Sequence, residues 1–159
     1  MTKACPCTSG REYLACCRPF HRGEREAPDA AALMRSRFAA FALRDAPYLW
    51  RTLHVTHPDR ARPEADVLRE LKAAAWKYRY RSLDVLDAAP ARVLFFAHVF
   101  ESGVDRSFIE RSDFAHDGAG WRYVGGVFVP REAWPRDPLA LRLGDADGLV
   151  DLKPGHGNR

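Results

Sequence analysis

No cysteine occurs after position 17 of this 159-residue chain, and only two methionines are present. Lysine is confined to Lys3, Lys72, Lys77 and Lys153, so nearly all of the positive charge is arginine. No stretch approaches the ~18 consecutive apolar residues of a membrane span. The opening Met-Thr-Lys-Ala-Cys lacks the apolar core of a signal peptide, which points to a cytoplasmic protein. There is no P-loop, no G-x-G-x-x-G, no G-x-S-x-G and no H-E-x-x-H. Gly125-Gly126 is no phosphate loop either, because no helix start follows it. No internal repeat is visible. These absences remove the enzyme classes that carry a linear signature, but not enzymes whose sites are assembled from scattered residues.

What is present suits one ordinary domain with a small appendage. Apolar residues make up 47% of the chain and aromatics 11%, enough for a real core. The formal net charge of +4 helps weak binding to an anionic partner. It is too small, and too interspersed with acids, to argue for nucleic acid by itself.

All four cysteines fall in CPCTSGREYLACC, positions 5 to 17. In Cys5-Pro6-Cys7 the proline favours an extended chain, and extended residues two apart project to the same side. Thr8-Ser9-Gly10 signals a turn, with Gly10 free to take a positive φ. Residues 11–15 allow about one helical turn, which returns Cys16 and Cys17 to the same point. Four thiolates at ~2.3 Å in a tetrahedron make a closed structural zinc site. Two disulfides would need an oxidising compartment, and a reactive thiol activated by Arg11 or Arg18 is a further alternative. His21 is a spare nitrogen that could replace a cysteine if the adjacent Cys16-Cys17 pair is strained. One zinc ion on Cys5, Cys7, Cys16 and Cys17 is the reading adopted.

This stretch resembles the SEC-C motif, the zinc knuckle at the C-terminus of the SecA translocation ATPase. That pattern is Cys-x-Cys, eight residues, then Cys-Cys or Cys-His, with proline after the first cysteine and Ser-Gly in the turn. Thr8 stands where glycine is usual. Further on, RPFHRGEREAPDAAALMRSRFAAFALRDAPYLWRTLHVTHP, SFIERSDF and GWRYVGG appear in an order similar to the YchJ family, which is uncharacterised. That resemblance implies an N-terminal SEC-C knuckle joined to an NTF2-like domain, a curved sheet wrapped around helices with a cone-shaped cavity. Some members carry a second knuckle at the C-terminus, whereas this chain ends in WPRDPLALRLGDADGLVDLKPGHGNR.

The residues themselves give an α+β layout. A helix is expected after Asp29, its cap, with Met34, Phe38, Phe41 and Ala42 as its stripe and Pro47 as its end. A short helix follows in YLWRTLH. A third opens at Pro63 and buries Val67, Leu71, Ala74 and Tyr78. The period then shifts to four strand-like stretches over 81–88, 91–101, 105–118 and 120–129. Gly125-Gly126 suggests a bulge in the last strand. Residues 1–25 are thus expected to form the knuckle, 26–130 the NTF2-like domain, and 131–159 an extended or disordered tail, with prolines at 130, 135 and 138.

Four polar residues are candidates for lining a cone cavity: Arg37, Tyr48, His57 and Glu110. Arg37 lies at the margin of the apolar stripe. Glu110 shares a strand face with Ser112, and a buried Arg37–Glu110 pair could serve as an acid or base. A metal role for His54 and His57 competes with an ordinary hydrogen-bonded histidine, which is favoured. Two functions are carried forward. One is a zinc-binding adaptor whose knuckle, with Arg11, Arg18, Arg22 and Arg25 nearby, docks on another protein or an anionic surface, as the likeness to SecA implies. The other is a small-molecule-binding protein or enzyme using the cone.

Overall fold

The computed structural model describes residues 2–150. After a knuckle holding the 3-10 turn Tyr13–Ala15 come α1 (Arg18–His21), α2 (Ala30–Leu43), α3 (Ala46–Arg51) and α4 (Glu64–Lys77). Strands β1 (Arg79–Ala89), β2 (Arg92–Glu101), β3 (Val104–Asp105), β4 (Phe108–His116) and β5 (Trp121–Val129) follow, and then α5 (Leu143–Ala146). The sheet is an antiparallel meander in the order β1-β2-β4-β5, with β3 paired to β2.

Asp29 caps α2 as expected, its carboxylate accepting from Ala32 N at 2.7 Å. The helix ends at Arg44, left-handed at φ 61, three residues before Pro47. Pro47 instead sits in the first turn of α3, where its missing N–H costs nothing, and Asp45 caps that helix. Val67 and Leu71 are buried on α4 as the spacing implies, but Ala75 takes the place expected of Ala74. Tyr78 is the α4 C-cap rather than part of its buried stripe.

One face of the sheet packs on α2. There Leu33, Phe38, Val93, Phe95, Val99 and Phe114 form the main core. A second cluster, with Phe41, Leu49, Val67 and Leu71, joins the three longer helices. Arg81 and Leu86 are extra residues against β2, and Val124 is an extra residue against β4, next to Gly125. Such bulges bend the sheet around α2.

The opposite face of β2, β4 and β5 is also apolar, carrying Leu94, Phe96, Ile109 and Val129. Residues 131–150 cover it, which corrects the expectation of a loose tail over that part. Leu141 and Ala146 are buried there, and Trp134 Nε1 donates to Val129 O at 3.0 Å. Asp147 accepts from Arg111 at 2.7 Å, and Leu143 N donates to Asp87 at 2.9 Å. Leaving those four sheet residues in water would cost about 1.5–3 kcal/mol each, which is why the segment is held despite its prolines. The expectation for 151–159 lies outside the described residues.

Candidate metal centre and the cone cavity

Cys5, Cys7, Cys16 and Cys17 are all buried, and their sulfurs lie within 4.8 Å of one another. Backbone bonds build the enclosure. Cys5 N donates to Arg11 O and Tyr13 N to Lys3 O, pairing the two arms around an Ala4–Glu12 bridge. Thr8 N donates to Cys5 O, closing the first turn. Thr8 and Gly10 both take positive φ, at 58° and 83°. That explains why glycine suits position 8, since a β-branched residue resists this region.

The Cys7–Cys16 and Cys16–Cys17 sulfur separations are 3.6 and 3.9 Å. No disulfide joins them. Ligands ~2.3 Å from a common ion in a tetrahedron stand about 3.8 Å apart, so the spacing fits one tetrahedral metal ion. Crowding polarises the group. Hydrogen bonds from Cys17 and then Cys5 hold the Cys7 thiol far below its ordinary range. Cys17, bonded to Cys5 and Cys7, is driven far above its own. Four buried thiolates in one enclosure require a cation. The Ser9 hydroxyl lies 3.3 Å from Cys16 Sγ, placed to donate to a thiolate there.

His21 is not a spare ligand. Its Nδ1 meets Tyr13 OH at 2.9 Å and its Nε2 meets Ser36 O at 2.8 Å, so both nitrogens are engaged. Burial lowers its pKa, and the Ser36 carbonyl only partly offsets that.

The knuckle is tied to the rest of the molecule. Thr8 Oγ1 donates to Leu83 O at 3.2 Å and accepts from Leu83 N at 3.0 Å. β1 is an edge strand, and this one side chain completes its open backbone positions there. Arg35 donates to Cys7 O, and the cysteines pack on Ala39 of α2.

The four cone candidates separate. Arg37 and Glu110 are both buried and line one small cavity with Phe38, Tyr80, Phe95 and Tyr123. Tyr48 and His57 lie elsewhere. Tyr48 OH is 2.6 Å from the Ser36 hydroxyl, and burial pushes its pKa up to about 12. His57 Nδ1 accepts from Asp59 N, capping the 3-10 turn Pro58–Ala61, and its ring tilts against Tyr123. His54 bonds to Thr56 instead.

Arg37 and Glu110 are joined through Tyr123. The Arg37 guanidinium lies 4.7 Å from the Tyr123 ring centroid and donates to Leu49 O and Thr52 Oγ1. Glu110 Oε1 accepts from Tyr123 OH and from Ser112 Oγ, both at 2.7 Å. Burial lowers the Arg37 pKa and raises that of Tyr123 well above its usual value, the Glu110 charge adding to the latter. Gly126 completes the arrangement, because a Cβ there would come within 2.6 Å of Glu110 Cδ. The cavity measures about 20 Å³. That admits one water and no substrate. Tyr80 OH is buried at its wall without a hydrogen-bond partner among the described residues, which gives such a water a donor and an acceptor.

An α+β cone carrying an N-terminal cysteine knuckle is an NTF2-like domain with a SEC-C motif, and comparison with known proteins narrows this further. Residues 29–126, more than half of the chain, match the family model for the YchJ middle NTF2-like domain. The chain belongs to the YchJ family. It is 43% identical over 123 residues to a UPF0225 protein of Deinococcus radiodurans, covering 77% of this chain and 87% of that one. It is 34% identical over 133 residues to the UPF0225 protein YchJ of Shigella dysenteriae, covering 80% and 84%. A SEC-C motif-containing protein from Rhodopseudomonas palustris has a similar structure, with TM-score 0.65 and 32% identity over 77% of this chain and 95% of that one. One from Psychrobacter arcticus, 21% identical, shares the fold at TM-score 0.60 over 76% and 79%. No helix among the described residues is long and apolar enough to cross a membrane.

Proposed function

We propose that this protein is a zinc-stabilised adaptor. Cys5, Cys7, Cys16 and Cys17 hold one structural zinc, and the exposed side of the knuckle docks on a partner protein. The observation that carries the reading is the convergence of four buried sulfurs within 4.8 Å, without a disulfide, in a knuckle that leaves Leu14 59% exposed. Arg11 and Arg18 flank that leucine in sequence, so a partner surface with an apolar pocket rimmed by carboxylates is the chemical match. The zinc supplies no chemistry in this reading. With four protein ligands it has no open position for substrate, and its work is to fold residues that have no core of their own. The SEC-C proteins of similar structure support the knuckle assignment. The 20 Å³ cone weighs against the small-molecule alternative, since this conformation has no room for a ligand beside Arg37 and Glu110.

The test separates metal from docking. Wild type, Cys16→Ser and Leu14→Asp are compared for zinc content and for proteins retained on an affinity column. Leu14→Asp should keep its zinc and its fold yet lose the partners that wild type retains. Identical retention by wild type and Leu14→Asp would end the adaptor reading.

A further inference from the structure

The C-terminal ends of α2 and α4 meet the start of β1 and the end of β2. Arg44, Trp76, Lys77, Arg79 and Arg81 come together there from separate elements. Two recesses open to solvent at this corner. One, of about 370 Å³, is lined by Arg44, Trp76, Lys77, Tyr78, Arg79 and Phe100. The other, of about 650 Å³, is lined by Arg79, Arg81, Phe100 and Ser102. They share Arg79, Phe100 and Ser102 and so form one continuous groove.

Part of this charge has an internal explanation. Arg44 and Lys77 stand at helix C-termini, where a cation complements the dipole. Lys77 also pairs with Glu101 at 3.3 Å, and Arg106 holds the same carboxylate at 3.2 Å. Arg79 and Arg81 have no such account. They are exposed, sit two residues apart on an edge strand, and form no ion pair among the described residues, as is also true of Arg44. Arg81 is the bulged residue and leans toward Phe100, its guanidinium 5.9 Å from the ring centroid. Trp76 is the largest exposed apolar side chain, 62% accessible. The Arg44 guanidinium carbon sits over its ring, 3.4 Å from the centroid, and most of the indole still meets solvent. Unpaired guanidinium groups around an open indole form a place where a base stacks while neighbouring phosphates are neutralised.

We propose that this groove binds single-stranded nucleic acid without sequence preference, with a base on Trp76 and backbone phosphates on Arg44, Arg79 and Arg81. A continuous open groove suits a chain better than a free nucleotide, which needs an enclosing cleft. The composition gives little sign of this because the net charge is modest; the fold gathers the cations at one corner. The proposal does not depend on the knuckle's role.

The test uses the zinc-loaded full chain and a fluorescein-labelled 12-nucleotide oligothymidylate, followed by anisotropy across a salt series. Binding is expected at low salt, with log K falling against log [salt] at a slope of about −2, roughly 0.7 for each of three phosphates. Arg79→Ala and Arg81→Ala should each flatten that slope by about 0.7. Trp76→Ala should weaken binding about tenfold with the slope unchanged. Arg136→Ala, which lines neither recess, should leave this binding unchanged. Four results would overturn the proposal: no binding at 20 mM salt, binding indifferent to Trp76→Ala, equal affinity for poly-glutamate or duplex DNA, or equal affinity for free thymidine monophosphate.

Discussion

Replacing Glu110 by alanine removes the acceptor at the centre of the cone. Two buried hydroxyls, Tyr123 OH and Ser112 Oγ, lose their shared partner. Each unsatisfied group costs about 1–3 kcal/mol. Arg37, fully enclosed, also loses the negative charge that sits across Tyr123 from it. A cation stripped of its buried counter-charge costs about 3–5 kcal/mol. These costs overlap, and relaxation of Ser112 and one entering water offset part of them, so a net loss of about 3–5 kcal/mol is expected. Against a typical stability of about 5–15 kcal/mol this is a severe lesion. Glu110→Gln separates the two causes. It keeps an acceptor for both hydroxyls but not the charge, so it should cost about half as much if hydrogen bonding dominates and nearly the full amount if charge dominates. Urea melts of Glu110→Ala, Arg37→Met and the double variant supply the cycle. Because the residues couple through Tyr123, the double variant should be at least 1 kcal/mol more stable than additivity allows. Additive effects, or a loss below about 1 kcal/mol for Glu110→Ala, would refute this account of the cone.

Other consequences are open to similar measurements. Gly126→Ala should destabilise by about 1–3 kcal/mol through the clash with Glu110, and that cost should vanish in a Glu110→Ala background, read by thermal melts of the four proteins. Thr8→Val keeps the branched side chain but strands both backbone groups of Leu83, so a loss of about 1–3 kcal/mol is expected in urea; Thr8→Gly should lose less, because it relieves the left-handed strain. His21 is neutral in the fold and its pKa is lowered, so the unfolded chain binds the extra proton. Stability should therefore be intact above about pH 6.5 and fall on acidification, by up to ~1.4 kcal/mol per pH unit; His21→Gln should lack that component when both are melted from pH 7 to 5.5.

The knuckle was legible because its chemistry is local. Four cysteines at fixed spacing, a proline and a Thr-Ser-Gly turn say nearly everything about residues 5–17. The Asp29 cap and the Val67–Leu71 face were legible for the same reason. Pro47 misled because proline both follows helices and opens them, and only the left-handed Arg44 shows which applies. The segment 131–150 misled because its apolar residues come singly between prolines and charges. Its signal lay in β2, where VLFFAHVF has no polar alternation and so needs cover on both faces. Arg37 and Glu110 line one cavity, but their link through Tyr123 and the cavity's small volume depend on the bend of the sheet, which no local pattern encodes. The gathering of Arg44, Trp76, Arg79 and Arg81 was hidden likewise, since it joins two helix ends and a strand start.

The metal content of protein purified without added metal tests the central claim most directly. Elemental analysis alongside thiol titration should return about one zinc per chain and four thiols that react freely only after a chelator is added. Because Thr8, His21 and Ala39 tie the knuckle to β1 and α2, removing the zinc should also lower the melting temperature of the whole domain. Near-zero zinc with two disulfides, or a zinc-free protein that melts unchanged, would contradict the account.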